Sequence, residues 1–98
     1  MSDAVREGII TAVSGPLAGR RYYLRLFGSR AKGASSSRSD YDLAIDADGP
    51  IDFATMDRIR ERLEGLPVLQ NIDLVDLKTV SSGFAETVIR EAVVLDER

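Results

Sequence analysis

Apolar residues recur along the chain at two spacings, and the switches between them mark its elements. Val5, Ile9, Ala12 and Val13 repeat at helical intervals after Ser2, a side chain able to cap a helix, and Gly15-Pro16 closes the run. Arg21 to Phe27 alternates and is rich in Tyr, Leu and Phe, which predicts a strand running into a turn at Gly28-Ser29. Arg30 to Ala34 is compatible with a short helical turn, and Ala34 to Ser39 reads as a loop of small residues. Tyr41 to Ala47 alternates again, with Tyr41, Leu43, Ile45 and Ala47 on one face and Asp40, Asp42, Ala44 and Asp46 on the other. Asp52 can cap a helix carrying Met56, Ile59 and Leu63 on one side, stopped by Gly65 and Pro67. Asn71 to Leu77 predicts a third strand. Ser81 or Ser82 starts a last helix with Phe84 and Val88 four apart, ending near Glu91 before the apolar triplet Val93-Val94-Leu95. The order helix, strand, turn, strand, helix, strand, helix predicts one α/β domain over residues 1–98, a small mixed sheet flanked by helices.

Composition narrows the chemistry open to such a domain. With 98 residues, 44% of them hydrophobic and 30% charged, the chain reads as globular. A domain of this size buries somewhat over about 60% of its unfolded surface, which leaves little material for both a catalytic site and an acceptor-binding lobe. An acceptor is therefore expected to come from another molecule. No apolar run approaches the roughly 20 residues of a spanning helix, and Met1-Ser2-Asp3 lacks the features of a secretory signal, so a cytoplasmic protein with no membrane contact is expected. There is no cysteine and no histidine. That excludes disulfides, thiolate or imidazole metal sites and Ser-His-Asp catalysis, and leaves carboxylates, hydroxyls, basic side chains and hard cations.

The net charge of -3 conceals a segregation. Arg20, Arg21, Arg25, Arg30, Lys32 and Arg38 fall in a stretch with no acid, and the next stretch, Ser39 to Asp57, holds six aspartates and no base. Two solvated surfaces neutralising each other would give the same pattern. The acidic balance lacks the basic excess of a general nucleic-acid binder.

Gly28-Ser29 follows a strand, and after ten intervening residues Asp40 and Asp42 open the next one. At average abundances of about 5–7% per residue type, this spacing arises in about one random chain of this length per thousand. A glycine lets backbone approach a phosphate, and the serine offers an N–H and a hydroxyl; an ordinary Gly-Ser turn is the plain alternative. Asp40 and Asp42, two apart on a strand, leave the same face with Cα atoms roughly 6.5–7 Å apart. That suits chelation of Mg²⁺, which binds through one or two carboxylates plus substrate phosphates. A solvated strand face is the alternative, but aspartate is depleted in strands and neighbouring like charges repel. Asp73 and Asp76 each offer a third carboxylate from the next strand, facing opposite ways, and periodicity does not choose between them.

These residues resemble a known family. Gly28-Ser29-Arg30-Ala31-Lys32-Gly33, then Asp40-Tyr41-Asp42-Leu43, then Ile72-Asp73-Leu74 look like the minimal nucleotidyltransferases of the polymerase-beta-like superfamily. The resemblance implies the polymerase-beta-like nucleotidyltransferase fold, with Gly28 and Ser29 holding a triphosphate and Asp40 and Asp42 ligating two Mg²⁺ ions. It also implies that Asp73 completes the metal site and helps deprotonate the attacking hydroxyl, with Asp76 as the alternative. Arg30 and Lys32 become auxiliary phosphate contacts. Family members this short pair with helical HEPN-type proteins, and some are antitoxins that adenylylate a tyrosine of a HEPN ribonuclease. The implied activity is thus Mg²⁺-dependent transfer of AMP from ATP to a partner protein. A non-catalytic antitoxin or scaffold, docking through the last helix and Val93-Val94-Leu95, is one rival. A small-molecule nucleotidyltransferase of the aminoglycoside-modifying kind is another, disfavoured by the lack of a second domain.

Overall fold

The computed structural model describes residues 1–31, 33 and 39–98. Helix α1 spans Asp3–Ser14, and the Ser2 hydroxyl caps it by accepting from the Val5 N–H at 3.2 Å. Strand β1, Tyr22–Phe27, leads into a 3₁₀ turn over Gly28–Arg30, and β2 spans Tyr41–Ala47. Helix α2, Phe53–Glu64, is capped by Asp52, whose carboxylate accepts from the Thr55 N–H at 3.0 Å. Strand β3 is Ile72–Asp76; α3, Ser82–Glu91, is capped by Ser81; and Val93–Glu97 forms β4. All three helices begin where a Ser or Asp oxygen satisfies an otherwise unpaired first-turn N–H.

The apolar triplet expected to trail the last helix is instead a fourth strand. The sheet order is β3-β2-β1-β4, with β2 parallel to β3 and both other pairings antiparallel. Leu95 is buried in the main core, whereas Val93 and Val94 are about half exposed. A bulge between Leu24 and Arg25 shifts the β1–β4 register.

One face of the sheet carries Tyr22, Leu24 and Leu26 from β1 and Tyr41, Leu43 and Ile45 from β2. These pack with Ile9 and Val13 of α1 and Ile59 and Leu63 of α2. Burying such side chains is the main stabilising term, at about 1.5–3 kcal/mol each. The other face holds a smaller cluster in which Ala44 and Leu77 meet Val88 of α3, extended by Phe27 and Val75. Phe84 of α3 meets Phe27 edge to face, ring centres 6.1 Å apart. Because α3 covers only part of this second face, polar residues share it with the apolar cluster.

Candidate active site

The candidate residues meet at one end of the sheet because of strand direction. β1 ends at Phe27, antiparallel β2 begins at Tyr41, and β3, parallel to β2, begins at Ile72. The register pairs Phe27 with Asp42 and Asp42 with Asp73. Paired positions project to the same side of a sheet, so Asp42 and Asp73 stand side by side beyond the cover of α3.

Gly28 is fitted to this arrangement twice over. Its φ of +73° is the left-handed conformation that side chains rarely adopt, and a Cβ built on it would collide with the Asp42 carboxylate oxygen Oδ2. The turn carrying the candidate phosphate-binding Ser29 therefore sits directly against Asp42. Ser29 is exposed.

Among the described residues, neither Asp42 nor Asp73 has a basic partner. Burial, then the carboxylates of Asp73 and Asp40, raise the Asp42 carboxyl above its ordinary value. Asp46, on the same face four residues along β2, is instead compensated by Arg25 at 3.4 Å and Lys78 at 2.9 Å. Among the described residues, the uncompensated carboxylates are thus concentrated at the Gly28 end.

Asp40 is near this pair but differently engaged. Its Oδ1 accepts from the Asn71 N–H at 3.2 Å, and the Tyr41 N–H donates to the Asn71 carbonyl at 2.9 Å. Among the described residues, no group of three carboxylates stands ready to hold a metal ion. The donor set still fits a hard divalent cation: it is all oxygen, and its mutual repulsion is what such a cation relieves.

The two candidate third carboxylates separate cleanly. Asp73 is exposed beside Asp42, whereas Asp76 is buried and accepts from the Ile51 N–H at 2.8 Å and the Lys78 N–H at 2.9 Å. Asp76 ties the segment before α2 to the end of β3, a structural duty. Arg30 is also committed locally: its guanidinium donates to the Ser39 carbonyl at 2.9 and 2.6 Å and lies 3.9 Å over the Tyr41 ring. It braces the ends of the connection between β1 and β2. Lys32 and Arg38 lie outside the described residues. The roles of Tyr41 and Asn71 leave no pattern in the sequence, since one works through its ring and the other through its backbone.

Residues 23–98 match the family model described as polymerase beta, nucleotidyltransferase. The chain is 38% identical over 77 residues to a probable protein adenylyltransferase MntA of Haemophilus influenzae, covering 79% of this chain and 68% of that protein. It is 34% identical over 90 residues to the protein adenylyltransferase MntA of Thermococcus cleftensis, covering 89% of each. Among solved structures, a toxin-antitoxin crystal structure with AMP-PNP superposes with a TM-score of 0.74 at 24% identity, over 95% of this chain and 73% of that one. A complex of tri-AMPylated Shewanella oneidensis HEPN toxin with MNT antitoxin gives 0.74 at 22%, over 100% and 74%. These structural likenesses establish the fold.

Proposed function

The chain belongs to the polymerase beta nucleotidyltransferase family, and from that premise we propose that it is a protein adenylyltransferase moving AMP from ATP onto a hydroxyl of a helical HEPN-type toxin, as that toxin's antitoxin. Two relatives carry the name protein adenylyltransferase, and structural neighbours include a toxin-antitoxin structure with AMP-PNP and a complex with an AMPylated HEPN toxin. Within the chain, one observation carries the reading: Asp42 faces Asp73 across β2 and β3, with the Gly28 turn packed against Asp42 and no basic partner for the pair among the described residues.

In this reaction the acceptor oxygen forms a bond to the α-phosphorus, the bond from that phosphorus to the oxygen bridging the β-phosphate breaks, and pyrophosphate leaves with the electron pair. Asp73, the more exposed of the two facing carboxylates, is the group to take the hydroxyl proton. Gly28 and Ser29 hold the triphosphate through backbone N–H and hydroxyl donors. The family works with divalent metal ions; here Asp42 and Asp73 would hold Mg²⁺, two ions with Asp40 added. Bound there, Mg²⁺ supplies positive charge for the attacking and leaving oxygens. Arg30 acts by bracing the loop that carries these groups. No helix among the described residues is long and apolar enough to cross a membrane.

One rival is an antitoxin that neutralises its partner by contact alone. Incubation with Mg²⁺ and cell extract of the source organism, using ATP labelled at either the α- or the γ-phosphate, separates the two. The α-label alone is expected to enter a polypeptide with wild type, and Asp42→Asn is expected to abolish the transfer. Loss of neutralisation in Asp42→Asn belongs to the enzyme, and intact neutralisation to the rival.

A further inference from the structure

We propose that the groove along the outer edge of β3, formed by the connection between α2 and β3, is the acceptor-docking subsite, and that it takes a partner polypeptide segment whose hydroxyl side chain lies beside a basic residue. The proposal rests on the nucleotidyl-transfer reading and adds where, and to what, the second substrate binds.

In phosphoryl transfer the attacking and leaving oxygens lie roughly in line through the phosphorus. The sheet order sets the participants in a row at one end: the Gly28-Ser29 turn after β1, Asp42 on β2, Asp73 on β3. A triphosphate held at the β1 turn puts the leaving pyrophosphate on the β1 side. The attacking hydroxyl must then arrive from the β3 side, and Asp73 stands there to receive its proton.

A cleft of about 340 Å³ opens at that position, and Asp73 is one of its walls. Leu66, Val68 and Leu69 line it from the connection. Leu69 is fully exposed, the most exposed large apolar side chain among the described residues. Holding an apolar side chain in water is ordinary for a scattered residue. Here it stands over a cleft that opens onto the candidate proton acceptor. The cleft is also fixed to the catalytic end: the Asn71 N–H donates to Asp40 and the Asn71 carbonyl accepts from Tyr41. A segment seated in the groove is thereby held in register with Asp42 and Asp73.

Charge selects the class of occupant. Among the described residues, Glu64 and Asp73 line the groove and no basic side chain does. A nucleic-acid acceptor would bring phosphates against Glu64, for which no described residue of the groove supplies a counter-charge, the opposite of what such binding requires. A polypeptide with an apolar or aromatic side chain for Leu69 and a Lys or Arg for Glu64 satisfies both features.

The test uses the full chain, Mg²⁺, α-labelled ATP and cell extract, followed by steady-state kinetics on the purified acceptor that the wild type labels. Leu69→Ala is expected to raise KM for the acceptor about ten-fold, as truncating an interface anchor does, with kcat and KM for ATP unchanged. Glu64→Lys should raise the same KM, and Phe53→Ala, an exposed control on α2, should leave all three constants as they are. Both Leu69 and Glu64 are exposed, so thermal melts of the variants should match wild type. If the wild type labels a polypeptide and neither groove variant changes KM for it, the subsite is overturned while the transfer activity stands. Label in RNA or a small molecule overturns the proposed occupant. Absence of any label overturns the transfer reading itself, and the subsite with it.

Discussion

Asp73 and Asp76 are three residues apart on one strand and chemically identical, yet their surroundings give them opposite duties. Asp76 spends its oxygens on two backbone N–H groups under α2, and Asp73 faces Asp42 in the open. Alternation established that they point to opposite sides; only packing reveals which side α2 occupies. Gly28 was legible as a turn glycine, but the reason a side chain there would collide with the Asp42 carboxylate depends on a residue fourteen positions away. Tyr22 carries a prediction of another kind. It is buried in the main core and its hydroxyl has no hydrogen-bond partner among the described residues. Burial, with the Asp96 carboxylate adding to it, raises its pKa above the ordinary value of about 10. The neutral phenol is thus favoured in the folded state, so this contribution to stability is complete below pH 10 and is lost as pH rises through the folded pKa. Tyr22→Phe is expected to be neutral or stabilising by about 1 kcal/mol at pH 7, since it removes an unsatisfied buried hydroxyl. It should also weaken the alkaline loss of stability, measured by urea denaturation at pH 7 and above pH 10.

At the scale of elements, the three helices and first three strands follow from caps, breakers and apolar spacing, and their observed bounds lie within a residue or two of those signals. β4 was missed for two physical reasons. A single residue, Ala92, separates it from α3, so no turn signal announces it, and the bulge opposite Leu24 and Arg25 breaks the alternation that would mark it. Its stabilising contribution comes from Leu95, which reaches the core, while Val93 and Val94 stay half exposed. Leu95→Ala is expected to cost about 2–4 kcal/mol in urea denaturation, and Val94→Thr less than about 0.5 kcal/mol. Equal effects from the two would mean that β4 does not pair with β1 as described.

For the whole molecule, the two oppositely charged blocks of the sequence resolve through the β1–β2 register. Antiparallel pairing sets Arg20 against Asp48 at 2.6 Å and Arg25 against Asp46 at 3.4 Å. Mutual neutralisation of charged surfaces therefore holds at one end of the hairpin. At the other end the same register leaves Asp42 beside Asp73, with no basic partner among the described residues, and it is this end that the proposed nucleotide chemistry would use. The composition and motif spacing located this end; the strand order β3-β2-β1, which gives the site its direction, required the structure. In the proposed function, the Gly28-Ser29 turn and the Asp42–Asp73 pair form one Mg²⁺-nucleotide site. This is tested most directly by calorimetric titration with ATP whose α,β-bridging oxygen is replaced by methylene, with and without Mg²⁺. Wild type is expected to bind only with Mg²⁺, and Gly28→Ala and Asp42→Asn to bind about 10–100-fold more weakly. Absence of Mg²⁺-dependent binding by wild type, or equal binding by all three proteins, would contradict the account.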